Sequence, residues 1–287
     1  MILMPKRMFS LPVPRKIDLL RFYLFSRISL IGRKLGVKQS QIIVCGYPRG
    51  GTSLFYNMLS TTVSETFSFT EFEKYYFYSI HKFGNIATKA PLDVLHLTDI
   101  DQLNIHKKKL YIFILVRDIR EIVTSRHPLC PDRYFIGYDN SLWPQDREFT
   151  KWRYDAPGIM DIASAIAKVS GREDVHIIKY EDLVSNPDLI QRQIAFDTGL
   201  KFDAEFSTYH VRENRLAYKY SGRFSPKDSN LVLEGKSVTK KSPRWCKEEN
   251  KKRILDQFTR CPELFDILVE YGYEKNRDWF NRFVQEM

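Results

Sequence analysis

Four short apolar runs alternate with amphipathic stretches along this chain of 287 residues. The runs predict strands that are buried on both faces, as in a parallel sheet, at residues 41–46, 85–89, 110–116 and 175–179. Apolar positions three and four residues apart predict helices at 52–60, 119–126, 157–169, 187–199 and 248–271. Asp118, Ser185 and Asn186 are suitable N-caps. The alternation of strands and helices predicts an α/β fold with a mostly parallel sheet flanked by helices.

The N-terminal segment is basic and amphipathic. Arginines interrupt it throughout, so no apolar run approaches the ~18 residues that span a bilayer, and a cleavable signal peptide fits poorly. Residues 16–35 predict a helix with one apolar face, which either packs on the domain or contacts a membrane surface. We expect a basic segment at 1–37 and a single domain at 38–287. A cytoplasmic protein follows, with peripheral membrane contact through residues 16–35 as an open alternative.

The first predicted strand ends in a loop with the sequence GYPRGGTS. Gly50 and Gly51 let the backbone curl tightly, so that successive amides point into one anion-binding nest at the start of a helix. Arg49 adds a positive charge. The loop differs from the nucleoside-triphosphatase signature because Thr52 stands where that signature has lysine. An ordinary strand-to-helix turn is the alternative interpretation of this segment alone.

A second segment, VRDIREIVTSRH, follows the strand predicted at 110–116. Arg117 lies just beyond the strand, and Ser125 comes eight residues later. Together with GYPRGGTS, this segment resembles the two phosphate-binding motifs of the sulfotransferases that use 3′-phosphoadenosine 5′-phosphosulfate (PAPS). The motif style is most similar to the carbohydrate and protein-tyrosine branches. The resemblance implies a sulfotransferase fold related to the P-loop nucleoside triphosphatases.

The resemblance also implies roles for particular residues. The 5′-phosphosulfate would be held by Arg49, Gly50, Gly51, Thr52 and Ser53. The 3′-phosphate would be held by Arg117 and Ser125, which match the family pair in type and spacing.

Three further segments occur in the order found in the family, so that the resemblance covers about residues 40 to 275. Lys89 in TKAPL resembles the lysine-x-proline element and would be a second cation at the transferring group. The segment KYEDLVSNP resembles one that follows a later core strand. The segment GKSVTKKSPRW resembles the loop that covers the nucleotide, with Lys240 and Arg244 as its basic residues.

The catalytic base has several candidates. Glu73, followed by aromatic residues in TEFEKYYFY, fits the glutamate of the glycan and tyrosine branches, with Glu71 as its rival. Burial against those aromatic rings would raise the carboxyl pKa towards a useful value. The cytosolic branch uses a histidine, so His96 and His106 stay as alternatives. Arg49 would act electrostatically, because arginine does not readily release a proton at neutral pH.

Composition limits the possible partners. The chain has 45 Lys and Arg against 35 Asp and Glu, a net charge of +10 that favours anionic partners. No zinc-finger or RNA-recognition motif accompanies the charge, so we expect no nucleic acid. The four cysteines and six histidines show no metal-ligand spacing, and the proposed chemistry requires no metal. His127 is a candidate to line the cleft.

The sequence thus predicts transfer of a sulfuryl group from PAPS to a hydroxyl acceptor on a glycan or glycoconjugate. A glycolipid or a tyrosine would also suit a basic cleft with aromatic walls, for which the aromatic residues at 134–154 are candidates. Two alternatives come from other classes: a P-loop kinase-like phosphotransferase, and an inactive, membrane-associated protein that binds the product PAP.

Overall fold

The computed structural model describes residues 38–64, 66–70, 76–127, 130–144, 151–211 and 243–285. The segment 1–37, Glu71, Glu73 and Lys240 lie outside these ranges, so what the sequence predicts for them stays a prediction. Within the described ranges, the helices are all too short or too polar to cross a membrane.

The described part of the chain contains nine strands, numbered in chain order. They are β1 (Ser40–Gly46), β2 (Phe67–Phe69), β3 (Asn85–Lys89), β4 (Lys109–Val116), β5 (Arg126–His127), β6 (Cys130–Tyr134), β7 (Asn140–Pro144), β8 (Trp152–Pro157) and β9 (Val175–Lys179). Five of them form a parallel sheet in the order β2–β3–β1–β4–β9. The four predicted strands are β1, β3, β4 and β9. Strand β2 was not predicted, because three residues are too few to form a recognisable apolar run.

Nine helices are described in the same ranges. They are α1 (Thr52–Thr62), α2 (Ile100–Leu103), α3 (Ile119–Val123), α4 (Ile159–Val169), α5 (Tyr180–Ser185), α6 (Pro187–Thr198), α7 (Glu248–Arg260), α8 (Leu264–Glu270) and α9 (Asp278–Gln285). Short 3₁₀ segments, among them Pro91–Asp99 and Arg244–Cys246, connect several of these elements.

The sheet is buried on both faces, as its apolar strands predict. In β1 the side chain of Ile43 faces a cluster formed with α3, α4, α7 and α8. Its neighbours Ile42 and Val44 point the other way, into a cluster formed with α1 and α6. Because successive side chains of a strand point to opposite faces, one apolar run supplies both cores. Each fully buried aliphatic side chain contributes about 1.5–3 kcal/mol to stability.

Two predicted helices end earlier than expected. The stretch 248–271 is divided into α7 and α8 at Pro262, which cannot donate to a helical hydrogen bond and disfavours a helical conformation in the residue before it. Helix α3 ends at Val123 instead of continuing to 126. Its start is as predicted, because the side chain of Asp118 accepts a hydrogen bond from the backbone N–H of Arg120. The predicted cap Asn186 precedes α6, but its side chain makes no capping hydrogen bond.

The stretch 128–155, which shows no clear periodicity in the sequence, contributes to two antiparallel strand pairs, β5–β6 and β7–β8. They follow directly on α3, outside the parallel sheet. The chain therefore leaves the sheet beside the second predicted phosphate motif.

The point where β1 leaves the sheet predicts a test of the fold. Gly46 has a φ of 125°, and a Cβ there would lie 2.3 Å from the carbonyl oxygen of Leu115. Gly46→Ala therefore combines backbone strain with a clash in the central strand pair, and we expect a loss of at least about 2 kcal/mol. Thermal unfolding measures this loss. Gly171→Ala is the matched control, because a Cβ there would meet nothing within 4 Å; equal melting temperatures for the two variants would contradict the prediction.

Candidate active site

The loop that joins β1 to α1 is packed tightly against its surroundings. Gly51 has a positive φ of 98°, and a Cβ there would lie 2.4 Å from Cδ2 of Tyr180. Gly50 is also confined, because a Cβ there would lie 2.7 Å from the carbonyl oxygen of Tyr47. Both glycines are therefore required by the geometry of the loop itself.

Arg49 occupies this loop with a φ of 66°, a left-handed conformation that is uncommon for residues with a side chain. Helix α1 begins at Thr52, with neither a capping side chain nor an acidic residue in its first turn. The first N–H groups of a helix lack partners within the helix and carry a partial positive charge. The loop thus combines a guanidinium group with a helix N-terminus, and this combination suits a phosphate or sulfate group.

Strand β3 brings Lys89 to the same loop. Lys89 is the register partner of Val44 in β1 and is almost fully buried. Its Nζ donates a hydrogen bond to the Oγ of Ser53 at 3.1 Å. Lys89 therefore lies at the carboxyl end of the sheet, beside the start of α1.

Strand β4, on the other side of β1, brings Arg117 to the loop. Its Nη1 donates to the carbonyl oxygen of Arg49 at 3.3 Å, and its Nη2 donates to Oε2 of Glu121 at 3.3 Å. The guanidinium group also lies over the ring of Tyr180, 4.2 Å from the centroid. Tyr180 thus contacts both predicted phosphate motifs, through Gly51 and through Arg117.

Three buried polar atoms at this site have no hydrogen-bond partner in the described part of the chain. They are the Nε of Arg49, the Nε of Arg117 and the Oγ of Ser125. Buried polar groups are hydrogen-bonded in the great majority of cases, so three such atoms on the two phosphate motifs are suited to pair with a bound ligand. An arginine has only donors, and the ligand that would pair with it is an anion.

Arg244 adds a third guanidinium group from the C-terminal part of the chain. Its Nε donates to Oε2 of Glu121 at 3.2 Å, next to the bond from Arg117. Burial lowers the pKa of Arg49, and the charges of Arg244 and Arg117 lower it further. Three arginines therefore converge closely enough to repel one another. Lys240, the other predicted basic residue of this loop, lies outside the described residues.

The candidate histidines differ in their position along the sheet: His96 and His127 come after β3 and β4 in the chain, whereas His106 precedes β4. Burial lowers the pKa of His127 to about 4, and the nearby charge of Arg49 lowers it as well. His106 precedes β4 and packs against His81, with ring centroids 6.0 Å apart. Since β4 has eight residues of ~3.3 Å each, His106 lies roughly 25 Å from Arg117. His96 lies in the 3₁₀ segment after β3, with its ring against Phe77.

Aromatic side chains of the two strand pairs surround His127. Its ring stacks on Phe135 at 5.5 Å and meets Trp152 edge-on at 5.4 Å. Phe135 in turn contacts Trp143 at 6.3 Å. We call these four rings, of His127, Phe135, Trp143 and Trp152, the aromatic wall. Of the four, His127 is the ring that lies near Arg49. Trp143 and Trp152, two of the predicted aromatic candidates, are only half-buried and belong to this wall.

Two contributors to the site were not predicted. Tyr180 lies in the segment KYEDL, but nothing in the sequence shows that its ring packs between the two phosphate motifs. Glu121 follows Arg117 by four residues, a spacing that places two side chains on the same face of a helix. This spacing is the signal in the sequence for an ion pair between Arg117 and Glu121.

A family model described as the sulfotransferase domain matches residues 39–256. The chain therefore belongs to the sulfotransferase family. Among solved structures, the crystal structure of mouse sulfotransferase SULT7A1 complexed with PAP is similar over 83% of this chain and 90% of that chain, with 14% sequence identity and a TM-score of 0.45. None of the curated proteins matches the chain.

The parallel sheet flanked by helices confirms the predicted α/β fold class. Family membership confirms the predicted enzyme class, a sulfotransferase with PAPS as its co-substrate. PAPS carries phosphate groups at its 5′ and 3′ positions, and the buried donors of Arg49, Arg117 and Ser125 suit such groups. Within the described ranges, no group of three histidine, cysteine or acidic side chains is arranged to hold a metal ion.

The proximity of Arg49 to His127 predicts a measurable coupling. In Arg49→Met we expect the pKa of His127 to rise from about 4 towards the usual 6.5, while burial keeps it below that value. The measurement is an NMR titration of the imidazole signals, with His127→Gln for assignment. Arg260→Met, which removes an exposed arginine from α7, should leave this pKa unchanged. An unchanged pKa in Arg49→Met would show that the two groups are not in contact range.

Proposed function

We propose that the site binds PAPS with its 5′-phosphosulfate on the loop after β1 and its 3′-phosphate on Arg117 and Ser125. The observation that supports this assignment is the convergence of three arginines with three buried polar atoms that make no hydrogen bond within the described residues. Arg117, in the second motif, donates a hydrogen bond to the carbonyl oxygen of Arg49 in the first. One nucleotide with two anionic ends would therefore contact both motifs. Lys240 and Arg244 would cover it from the C-terminal segment.

The residues around the loop would have different roles in sulfuryl transfer. When bound, PAPS supplies the sulfuryl group, and PAP is the leaving group. Arg49 stabilises the negative charge that develops on the bridging phosphate oxygen, by electrostatics alone. Lys89 and Ser53, which are hydrogen-bonded to each other, would donate to the sulfonyl oxygens. Thr52 adds a backbone N–H group at the helix N-terminus.

The acceptor hydroxyl needs a base as its oxygen bonds to sulfur. Glu73 is the proposed base, with Glu71 as the rival, because the segment that contains them precedes β3 and matches the glutamate motif of the glycan and tyrosine branches. His127 is a neutral imidazole at pH 7, since its pKa lies near 4. Its place in the aromatic wall favours a part in holding the acceptor over a part as a strong base.

The acceptor class that we propose is a glycan or glycoconjugate. The half-buried rings of Trp143 and Trp152 would suit the apolar faces of sugar rings, and His127 of the same wall lies near Arg49. Exposed arginines accompany these rings on the same strand pairs, with Arg126 over the ring of Tyr134 and Arg133 over that of Tyr154. Such a surface also attracts the acidic groups that many glycans carry.

Nucleotide binding provides the first test. We expect isothermal titration to show PAP binding to the purified protein, with much weaker binding of ATP and Mg²⁺. Arg117→Ala should weaken PAP binding at least about tenfold, because charge-assisted hydrogen bonds contribute roughly 1.5–3 kcal/mol. Arg260→Ala is the matched control on the surface of α7. Absence of PAP binding, or a preference for ATP with Mg²⁺, would reject this assignment and favour a phosphotransferase.

The aromatic wall provides a second test, once a screen with labelled PAPS has found a glycan acceptor. Trp152→Ala should raise the KM for that acceptor roughly two- to tenfold, the loss expected for one aromatic contact, with PAP affinity unchanged. Phe196→Ala serves as the control, because Phe196 is 87% exposed on α6. If the KM stays constant in Trp152→Ala while the protein remains folded, the wall does not hold the acceptor.

A further inference from the structure

A carboxylate at a site for phosphate groups requires an explanation, since it repels the ligand. Glu121 is such a group: it is 9% exposed and lies four residues after Arg117 on α3. Its Oε2 accepts hydrogen bonds from Arg117 at 3.3 Å and from Arg244 at 3.2 Å. Its Oε1 accepts the backbone N–H groups of Arg244 and Trp245. One side chain therefore joins two arginines and the backbone of the C-terminal segment.

The neighbouring residue attaches the same segment by other contacts. The guanidinium group of Arg120 lies over the rings of Trp245 and Trp279, 4.2 and 4.7 Å from their centroids. Arg120 also bonds to Asp118 on one side and to Glu274 on the other. Arg120 thus attaches the C-terminal segment by aromatic and ionic contacts, whereas Glu121 accepts hydrogen bonds from both Arg117 and Arg244.

We propose that Glu121 is a positioning residue for the 3′-phosphate: it holds Arg117 and Arg244 side by side, so that they form a preorganised pair for that group. The inference rests on the proposed function of the site. Two guanidinium groups repel each other, and a shared carboxylate offsets the repulsion and restricts their side chains before the ligand arrives. The Nε of Arg117 makes no hydrogen bond within the described residues, although Oε1 of Glu181 lies 3.9 Å away, and we infer that this N–H group donates to the phosphate.

A positioning role and a purely electrostatic role of Glu121 predict different effects when Glu121 is removed. If Glu121 only lowered the local positive charge, its removal would strengthen the binding of every anionic nucleotide. If it positions the two arginines, its removal weakens the binding of nucleotides with a 3′-phosphate and spares those with a 3′-hydroxyl. The effect is then a loss of selectivity for PAP over adenosine 5′-monophosphate, which lacks the 3′-phosphate.

The experiment is isothermal titration of the full chain and its Glu121→Gln variant with PAP and with adenosine 5′-monophosphate. We expect PAP affinity to fall roughly tenfold or more, and the affinity for adenosine 5′-monophosphate to stay within about twofold. Unchanged binding of the second nucleotide also shows that the variant is folded. Glu248→Gln is the control, because it removes an exposed carboxylate from the start of α7. In the combined variant with Arg244→Met, the further loss of PAP affinity should be smaller than the loss that Glu121→Gln causes alone, because only Arg117 then remains to be positioned.

Three results would overturn the proposal: PAP binding by Glu121→Gln that is unchanged, PAP binding that is tighter, or an equal loss for both nucleotides. If Glu121→Gln does not fold, Glu121→Asp replaces it, since this variant keeps the charge but shortens the side chain and should also lose selectivity. Failure of the unmodified protein to bind PAP would instead reject the proposed function, so the two failures are distinguishable.

Discussion

Repulsion between arginines at the carboxyl ends of two adjacent strands is the constraint around which this site is built. Strands β1 and β4 are paired along their whole length, with Gly46 opposite Leu115, so the segments that follow them must meet. Tyr47 donates its backbone N–H to Leu115 and keeps the two segments together for one more residue. Arg49 and Arg117 then follow, and their mutual contact results from strand order.

The described carboxylates compensate this charge only in part. Glu121 is shared by Arg117 and Arg244, and Glu181 lies 3.9 Å from the Nε of Arg117. Glu181 is itself bound by the hydroxyl group of Tyr273 at 2.6 Å. Two shared carboxylates therefore face three guanidinium groups. A buried positive excess is costly in the absence of an anion, and the anionic co-substrate of the family is the group that would relieve it.

Much of this arrangement follows from local sequence, and the remainder depends on contacts between distant segments. The buried strands were predictable because apolar runs such as 110–116 have few other stable states, and the loops after them because Gly46, Gly51 and Arg117 stand at strand ends. The break at Pro262 also has a local signal, because proline cannot donate to a helical hydrogen bond, whereas the apolar spacing alone predicts one continuous helix over 248–271. By contrast, Tyr180 packs against Gly51 across more than a hundred residues, and no local pattern indicates such a contact. The strand pairs β5–β6 and β7–β8 were missed because their strands are short and irregular in register, which obscures a period of two.

The strand pairs also connect the proposed nucleotide site with the proposed acceptor side. Ser125, a proposed ligand of the 3′-phosphate, accepts the backbone N–H of Phe135 at 2.8 Å through its carbonyl oxygen. Phe135 stacks on His127 and, through its own carbonyl oxygen, accepts the backbone N–H of Leu142 beside Trp143. The aromatic wall is therefore hydrogen-bonded to the second phosphate motif and does not depend on a separate loop. Because these hydrogen bonds link the wall to Ser125, the proposed acceptor side would be held relative to the second phosphate motif, and in-line transfer depends on such positioning.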